Sequence, residues 1–339
     1  MRKRIVVSGG GGYIGSILCQ LLVDEGYQVR ILDRFFFGDS IPDNEHIEKI
    51  RVDSREISLE MLENTYGVLD LAAISNDPAG ELDPVKTLDI NYRARRRLQE
   101  LSADAKVNRY VLASSCSVYG FQEGILDENS PVNPLTTYAE ANIRAEESAL
   151  DLLNRGTDMT VVLFRQATMY GLSPRMRFDL AINGMTLGMW QNETIPLLRD
   201  GQQWRPMVHV RDTSKAFIAA LGVDSDKVNG QLFNIGSNEQ NYQIIKTAEL
   251  VAKGLSKPFK YEWYGEPDHR SYQVNFNKVK NVLGFVPDWT ADKGAAEIAE
   301  ALEKKTTQPN QVTKTVAWYS SLLEWETRLK VIAPDGYVL

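Results

Sequence analysis

Two cysteines in 339 residues, Cys19 and Cys116, are too few for a disulfide framework or a four-cysteine zinc site. They fall in a predicted helix and just past a predicted strand, places that suit a reducing compartment. Long apolar runs are missing as well. None approaches the roughly 18 residues needed to span a bilayer, so the chain is expected to be soluble. The basic start, Met1-Arg2-Lys3-Arg4, runs through Ile5-Val6-Val7 into glycines without a small-residue cleavage site. It reads as a first strand and not as an export signal, and a cytoplasmic location is expected. Positive charge is in deficit: 38 lysines and arginines face 45 acids, and the net charge of −7 argues against nucleic acid as a partner. The one basic cluster, Arg93, Arg95, Arg96 and Arg97, falls on a predicted helix and reads as a solvated face or a partner contact. Neither internal repeats nor a low-complexity linker is visible.

What is present is an alternation. Short β-branched runs (Ile5–Val7, Val29–Leu32, Ile47–Val52, Val68–Ala73, Tyr110–Ala113) alternate with amphipathic stretches over Tyr13–Glu25 and Pro84–Ala105. A further helix is predicted over Tyr138–Leu153, followed by a strand over Met159–Phe164. Strands alternating with helices of this length imply parallel strands joined by right-handed crossovers, an α/β doubly wound Rossmann sheet. The alternation breaks down after Gly171-Leu172-Ser173-Pro174, while Phe233-Asn234-Ile235-Gly236 reads as a strand returning to the main sheet. The expected division is a nucleotide-binding domain over 1–172 with return segments near 205–236. A smaller, interleaved substrate lobe then comprises 173–204 and 237–339.

Ser8-Gly9-Gly10-Gly11-Gly12-Tyr13-Ile14-Gly15 follows the first strand and opens the first helix. Glycines there permit positive φ, let the backbone approach a pyrophosphate, and seat that anion at a helix N-terminus where free N–H groups and the dipole favour it. Asp33, at the end of the second strand, is placed to accept hydrogen bonds from an adenosine ribose, which favours NAD over NADP. Arg34 beside it is a cation that could meet a 2′-phosphate. The expected cofactor ligands are therefore Gly9, Gly12, Tyr13, Ile14, Gly15, Asp33 and Arg34. No metal is expected.

The strand Tyr110–Ala113 runs on into Ser114-Ser115-Cys116-Ser117-Val118-Tyr119-Gly120, placing hydroxyls at the sheet edge where open α/β folds bind ligands. Tyr138, at the start of a helix, can bring a phenol beside them. With the glycine loop, the stretches SGGGGYIG, LAAISNDP, ASSCSVYG, YAEAN and WRPMVHVRD resemble the extended short-chain dehydrogenase/reductases, the NAD-dependent sugar epimerase/dehydratase family. The resemblance implies an enzyme that acts on a nucleotide-activated sugar, most simply an epimerase working by transient hydride transfer, and a homodimer through paired helices. It gives Tyr138 the proton transfer and Ser115 a hydrogen bond to the reacting sugar oxygen. Asp53, Ser54, Ala72, Ala73 and Asn91 match positions lining the NAD cleft, and Ser117, Thr168, Asn183, Arg205 and Arg270 match positions on the substrate side, the arginines holding its diphosphate.

Three positions depart from the family pattern. Cys116 and Ser117 stand where 4,6-dehydratases carry aspartate and glutamate, which argues against that dehydration unless Cys116 takes part. Asn142 stands where the family carries the lysine that binds the nicotinamide ribose and lowers the tyrosine pKa. An unaided tyrosine near pKa ~10 is only about a thousandth ionised at neutral pH. Three readings stay open: a form impaired by Asn142, an enzyme with another activating cation, or a catalytically silent nucleotide-binding protein. On the first, Asn142→Lys is expected to raise turnover. A net oxidoreductase outcome also remains compatible with the motifs.

Overall fold

The computed structural model describes residues 2–333. Its main sheet has seven strands: β1 (Arg4–Ser8), β2 (Gln28–Asp33), β3 (Ile47–Arg51), β4 (Gly67–Asp70), β5 (Arg109–Ser115), β6 (Thr160–Gln166) and β7 (Gln231–Ile235). All pairings are parallel, in the order β7-β6-β5-β4-β1-β2-β3. The chain moves outward from β1 through β2 and β3, then returns to lay β4 to β7 on the other side. Strand order therefore reverses between β1 and β4, and a crevice opens outside the C-terminal ends of the strands at that point.

Pleating sends Ile5 and Val7 to one face and Val6 to the other, and each face has its own core. On the first, Ile5, Val7 and Val29 pack with Leu18 and Leu22 of α1 (Gly15–Asp24). On the second, Val6, Val68 and Leu112 pack with Leu98 of α2 (Arg95–Asp104) and Ala145 and Ala149 of α3 (Thr137–Asn154). Burying each such leucine or isoleucine fully contributes about 1.5–3 kcal/mol relative to exposure. Thr136 caps α3 by accepting from the Ala139 N–H at 3.2 Å, and this sets Tyr138 in the first turn.

The stretch read as one helix over Pro84–Ala105 is in fact broken. Pro84–Leu88 is α-helical, Asp89–Ala94 forms a π-helical turn, and α2 follows. Such turns recur at functional sites. Within 205–236, β7 joins the main sheet and α4 (Val210–Gly222) packs against α1. The strand Trp204–His209 departs from the expected return. It pairs with Thr168–Tyr170 and Asn241–Gln243 in a separate three-stranded sheet, because Met207 faces Tyr170, Ile182 and Ile244 of the smaller lobe's own core.

The last helix, α5 (Thr315–Ile332), crosses the crevice. Its Trp318 indole donates to the Phe36 carbonyl at 2.8 Å, Tyr319 packs edge-on to Phe37, and Glu326 pairs with Lys86 at 3.3 Å. Among the described residues no helix is long and apolar enough to cross a membrane.

Candidate active site

A cavity of about 1430 Å³ occupies the crevice at the switch point. Gly9, Gly12, Tyr13, Ile14 and Gly15 line its floor. Gly9 has φ +77°, and a Cβ there would lie 2.6 Å from the Ala72 nitrogen, so only glycine lets the loop lie this close to the end of β4. Tyr13 lends the floor rigidity: its hydroxyl donates to the Gly171 carbonyl at 2.6 Å and accepts from Asn183 at 3.0 Å.

Asp33 lines the cavity beside the glycine loop, its Oδ2 accepting from the Gly11 N–H at 2.9 Å and its Oδ1 from the Phe35 N–H at 2.6 Å. Burial nonetheless raises its pKa, since those hydrogen bonds only partly replace water. Arg34 also borders the cavity, but its Nη1 is engaged by Asp53 at 2.6 Å. Hydrogen bonds from Arg55, with the Arg34 charge, hold the Asp53 carboxyl down at about 2. Asp53, Ser54, Ala72 and Ala73 all line the same wall. Asn91 does not. It is fully buried and exchanges two hydrogen bonds with the Ile74 backbone, at 2.8 and 3.0 Å, so it shapes the wall from behind.

Ser115, Ser117, Tyr138 and Thr168 line the central part. The Ser115 hydroxyl accepts from the Ser117 N–H at 3.1 Å, while the buried Ser117 hydroxyl has no partner among the described residues and borders the cleft. Loss of water raises the Tyr138 pKa and the nearby Asp77 carboxylate raises it further; Ser115, Arg95 and Asn142 pull it back. Asn142 is 1% exposed and off the cavity surface. Its amide nitrogen donates to the Tyr138 carbonyl at 3.0 Å, and its oxygen accepts from Arg95 at 3.1 Å.

At the far end Arg205 and Arg270 line the cavity and share Asp268, at 2.9 and 2.6 Å; Arg270 also pairs with Asp77. Two candidates lie elsewhere. Asn183 is fully buried, its amide spent on the Gly171 N–H, the Tyr13 hydroxyl and the Arg177 carbonyl, so it has no group left for substrate. Cys116 is 1% exposed and turned from the cleft, its thiol donating to the Arg165 carbonyl at 3.3 Å, and burial pushes its pKa up. Buried off the cavity surface, it has no access to a ligand there as an acid or base for elimination.

Other residues in the cleft escaped sequence reasoning. Arg95, read as part of a solvated face or a partner contact, is 3% exposed and lines the cavity; nothing in its local pattern sets it apart from the three arginines beside it. Arg175 and Arg177, alternating just past the Gly171–Pro174 turn, also border it. Arg177 pairs with Asp179 at 2.7 Å, but Arg175 keeps Nε and Nη1 without a partner among the described residues. Burial and the Arg177 charge both oppose the charge on Arg175, which an anion would relieve. Gln203, buried with both side-chain polar atoms unpartnered, faces the cleft near Arg205. No group of three or more His, Cys, Asp and Glu among the described residues could hold a metal ion.

Residues 5–236 match the model of the NAD-dependent epimerase/dehydratase family. A putative UDP-glucose 4-epimerase of Methanocaldococcus jannaschii is 29% identical over 303 residues, covering 87% of this chain and 96% of its own length. A UDP-N-acetyl-alpha-D-glucosaminuronate decarboxylase of Bacillus cytotoxicus is 26% identical over 320 residues, covering 88% and 97%. Among solved structures, MoeE5 in complex with UDP-glucuronic acid and NAD superposes with a TM-score of 0.80 at 28% identity, covering 89% of this chain and 99% of MoeE5. The family match takes in the glycine loop, β5 and α3 and runs to the end of β7, and the chain belongs to the NAD-dependent epimerase/dehydratase family.

Proposed function

We propose that this chain binds NAD and a UDP-linked sugar in the one cavity and epimerises the sugar. The observation that carries the reading is that Ser115 and Tyr138 line the same cavity as the glycine loop and Asp33. The residues present fit NAD: the glycine loop lines the cavity where a helix begins, Asp33 offers acceptors to a ribose diol, and Arg175 has two buried donors unspent. Bound NAD would supply reversible hydride acceptance at a sugar carbon. Tyr138 accepts the proton of the reacting hydroxyl and returns it, Ser115 hydrogen-bonds that oxygen, and Arg205 and Arg270 grip the diphosphate. The buried, averted Cys116 speaks against an elimination route. A homodimer through Pro84–Asp104 and α3 belongs to the same reading, and light scattering tests it.

The experiment is incubation of the NAD-loaded protein with a panel of UDP-hexoses and UDP-uronates, followed by chromatography and absorbance. An isomeric product without net reduction of NAD, lost in Tyr138→Phe, is expected. Stoichiometric reduction of NAD, loss of carbon dioxide, or no conversion of any member would replace this reading by an oxidoreductase, a decarboxylase or a binding protein.

A further inference from the structure

We propose that Arg95 is the cation that favours ionisation of Tyr138 in this chain, delivered from α2 because position 142 on α3 carries none. The proposal rests on the reading of Tyr138 as the proton-transferring group.

Four features of the site converge on it. Arg95 is 3% exposed, lines the cleft with Tyr138, and is fixed in place by donating to the Ala72 carbonyl at 3.0 Å and to the Asn142 oxygen at 3.1 Å. Asn142 in turn holds the Tyr138 carbonyl, so guanidinium, amide and tyrosine form a continuous hydrogen-bonded unit. Second, the charge on Arg95 is poorly matched by a counter-ion. Among the described residues the acid within 4 Å is the fully buried Asp70, 3.7 Å away, and burial raises the Asp70 pKa while the Tyr110 hydroxyl already occupies one of its oxygens. A guanidinium kept from water beside so weak a partner is costly as a purely structural device.

Third, asparagine suits position 142 because Arg95 is there. An amide oxygen accepts from the guanidinium, whereas an ammonium in its place would meet a like charge in a site withheld from water. Fourth, among the groups that act most strongly on Tyr138, Arg95 is the one that carries a positive charge. Asp77, held by Thr136 at 2.7 Å and by Arg270, opposes ionisation, and Ser115 and Asn142 are neutral. Arg95 is the charged group pulling the phenol toward ionisation. It acts as a positioning and electrostatic residue and leaves the proton transfer itself to Tyr138.

The test reads Tyr138 directly in the full-length, NAD-loaded protein. The ring-carbon NMR signal of labelled tyrosine is followed against pH, with Tyr138 identified by its loss in Tyr138→Phe. In Arg95→Met the titration is expected to move up by about one to three pH units, the usual effect of removing an opposite charge nearby. Arg95→Lys should retain most of the wild-type titration. Arg95→Met combined with Asn142→Lys should restore it by moving the cation to α3. If Arg95→Met fails to fold for want of a partner to Asp70, Arg95→Met with Asp70→Asn is read in the same way. Coincident wild-type and Arg95→Met titrations overturn the proposal, and so does a wild-type Tyr138 that stays protonated to the alkaline limit of folding. The UDP-sugar panel is run in parallel. A titration that depends on Arg95 without any sugar conversion keeps this inference and discards the function proposed above, while conversion with a titration indifferent to Arg95 does the reverse.

Discussion

Asn142→Lys restores the residue type that the sequence pattern asks for, and sequence reasoning expects a gain in turnover from it. The contact with Arg95 predicts instead a loss of stability. The amide oxygen of Asn142 lies 3.1 Å from an Arg95 nitrogen, and both side chains are almost wholly buried. Two unit charges ~4 Å apart at an effective dielectric of ~20 repel by about 4 kcal/mol, and the lost hydrogen bond to a charged donor adds about 1.5–3 kcal/mol. Lysine can escape part of this by losing its proton, which a penalty of that size brings down from about 10.4 to about 7.5. The pH dependence has a definite sign. Because the folded-state pKa is depressed, the native variant releases a proton that the unfolded chain keeps, so stability recovers as pH rises from about 7.5 toward 10. Urea unfolding of the wild type, Asn142→Lys, Arg95→Met and the double variant, at neutral pH and near pH 9.5, measures the coupling. A single Asn142→Lys variant within about 1 kcal/mol of wild type at neutral pH, or a deficit that Arg95→Met does not relieve, would refute the reasoning.

Further expectations follow from other parts of the cleft. Asp33→Ala, which removes the acceptor for a ribose diol and for the Gly11 and Phe35 N–H groups, should weaken NAD by at least tenfold in fluorescence titration while NADP binding falls less. Arg205→Ala and Arg270→Ala should each cost about 1.5–3 kcal/mol in UDP affinity by calorimetry; unchanged affinity in both would remove them from the site. The Asp53 carboxyl, held at about 2 by Arg55 and Arg34, adds stability above its unfolded pKa and loses it as pH falls through about 2. Asp53→Asn should therefore be less stable than wild type at neutral pH and equal to it at the acid end, as read by circular dichroism. Trp318→Ala, which cuts the tie between α5 and the Phe36 carbonyl, should speed NAD release in stopped-flow displacement; an unchanged rate would mean that α5 does not hinder exit.

The sheet was legible because each of its early strands is a β-branched run closed by a polar or glycine-rich turn, a signal carried within five or six neighbouring residues. The glycine loop was legible for the same reason. Asp33 could be placed beside that loop because a strand end has a fixed direction. What stayed hidden depends on distant partners. Arg95 is one of four clustered arginines whose local pattern does not say that this one turns inward to Asn142, 47 positions away. Asn183 had the chemistry of a ligand, but Tyr13 and Gly171, from other parts of the chain, had already claimed its amide. The π-helical turn at Asp89–Ala94 follows no periodicity that a helical reading tests, although it aligns Asn91 with Ile74. The roofing role of α5 rests on single contacts to Phe36, Phe37 and Lys86 and leaves no local trace.

The position of β7 has a consequence for biosynthesis. β6 reads Thr-Val-Val-Leu-Phe-Arg-Gln, every residue of it buried, and its outer neighbour is made only after the chain has passed through residues 167–230. Until then a nascent or truncated chain presents β6 as an open, apolar edge, the kind of surface that recruits strands from other molecules. A fragment ending at residue 172 should aggregate when expressed alone, and one carrying a seventh strand grafted behind β6 through a short linker should stay in solution. Translation speed between β6 and β7 thereby becomes a determinant of yield, although no residue in that interval belongs to the main sheet.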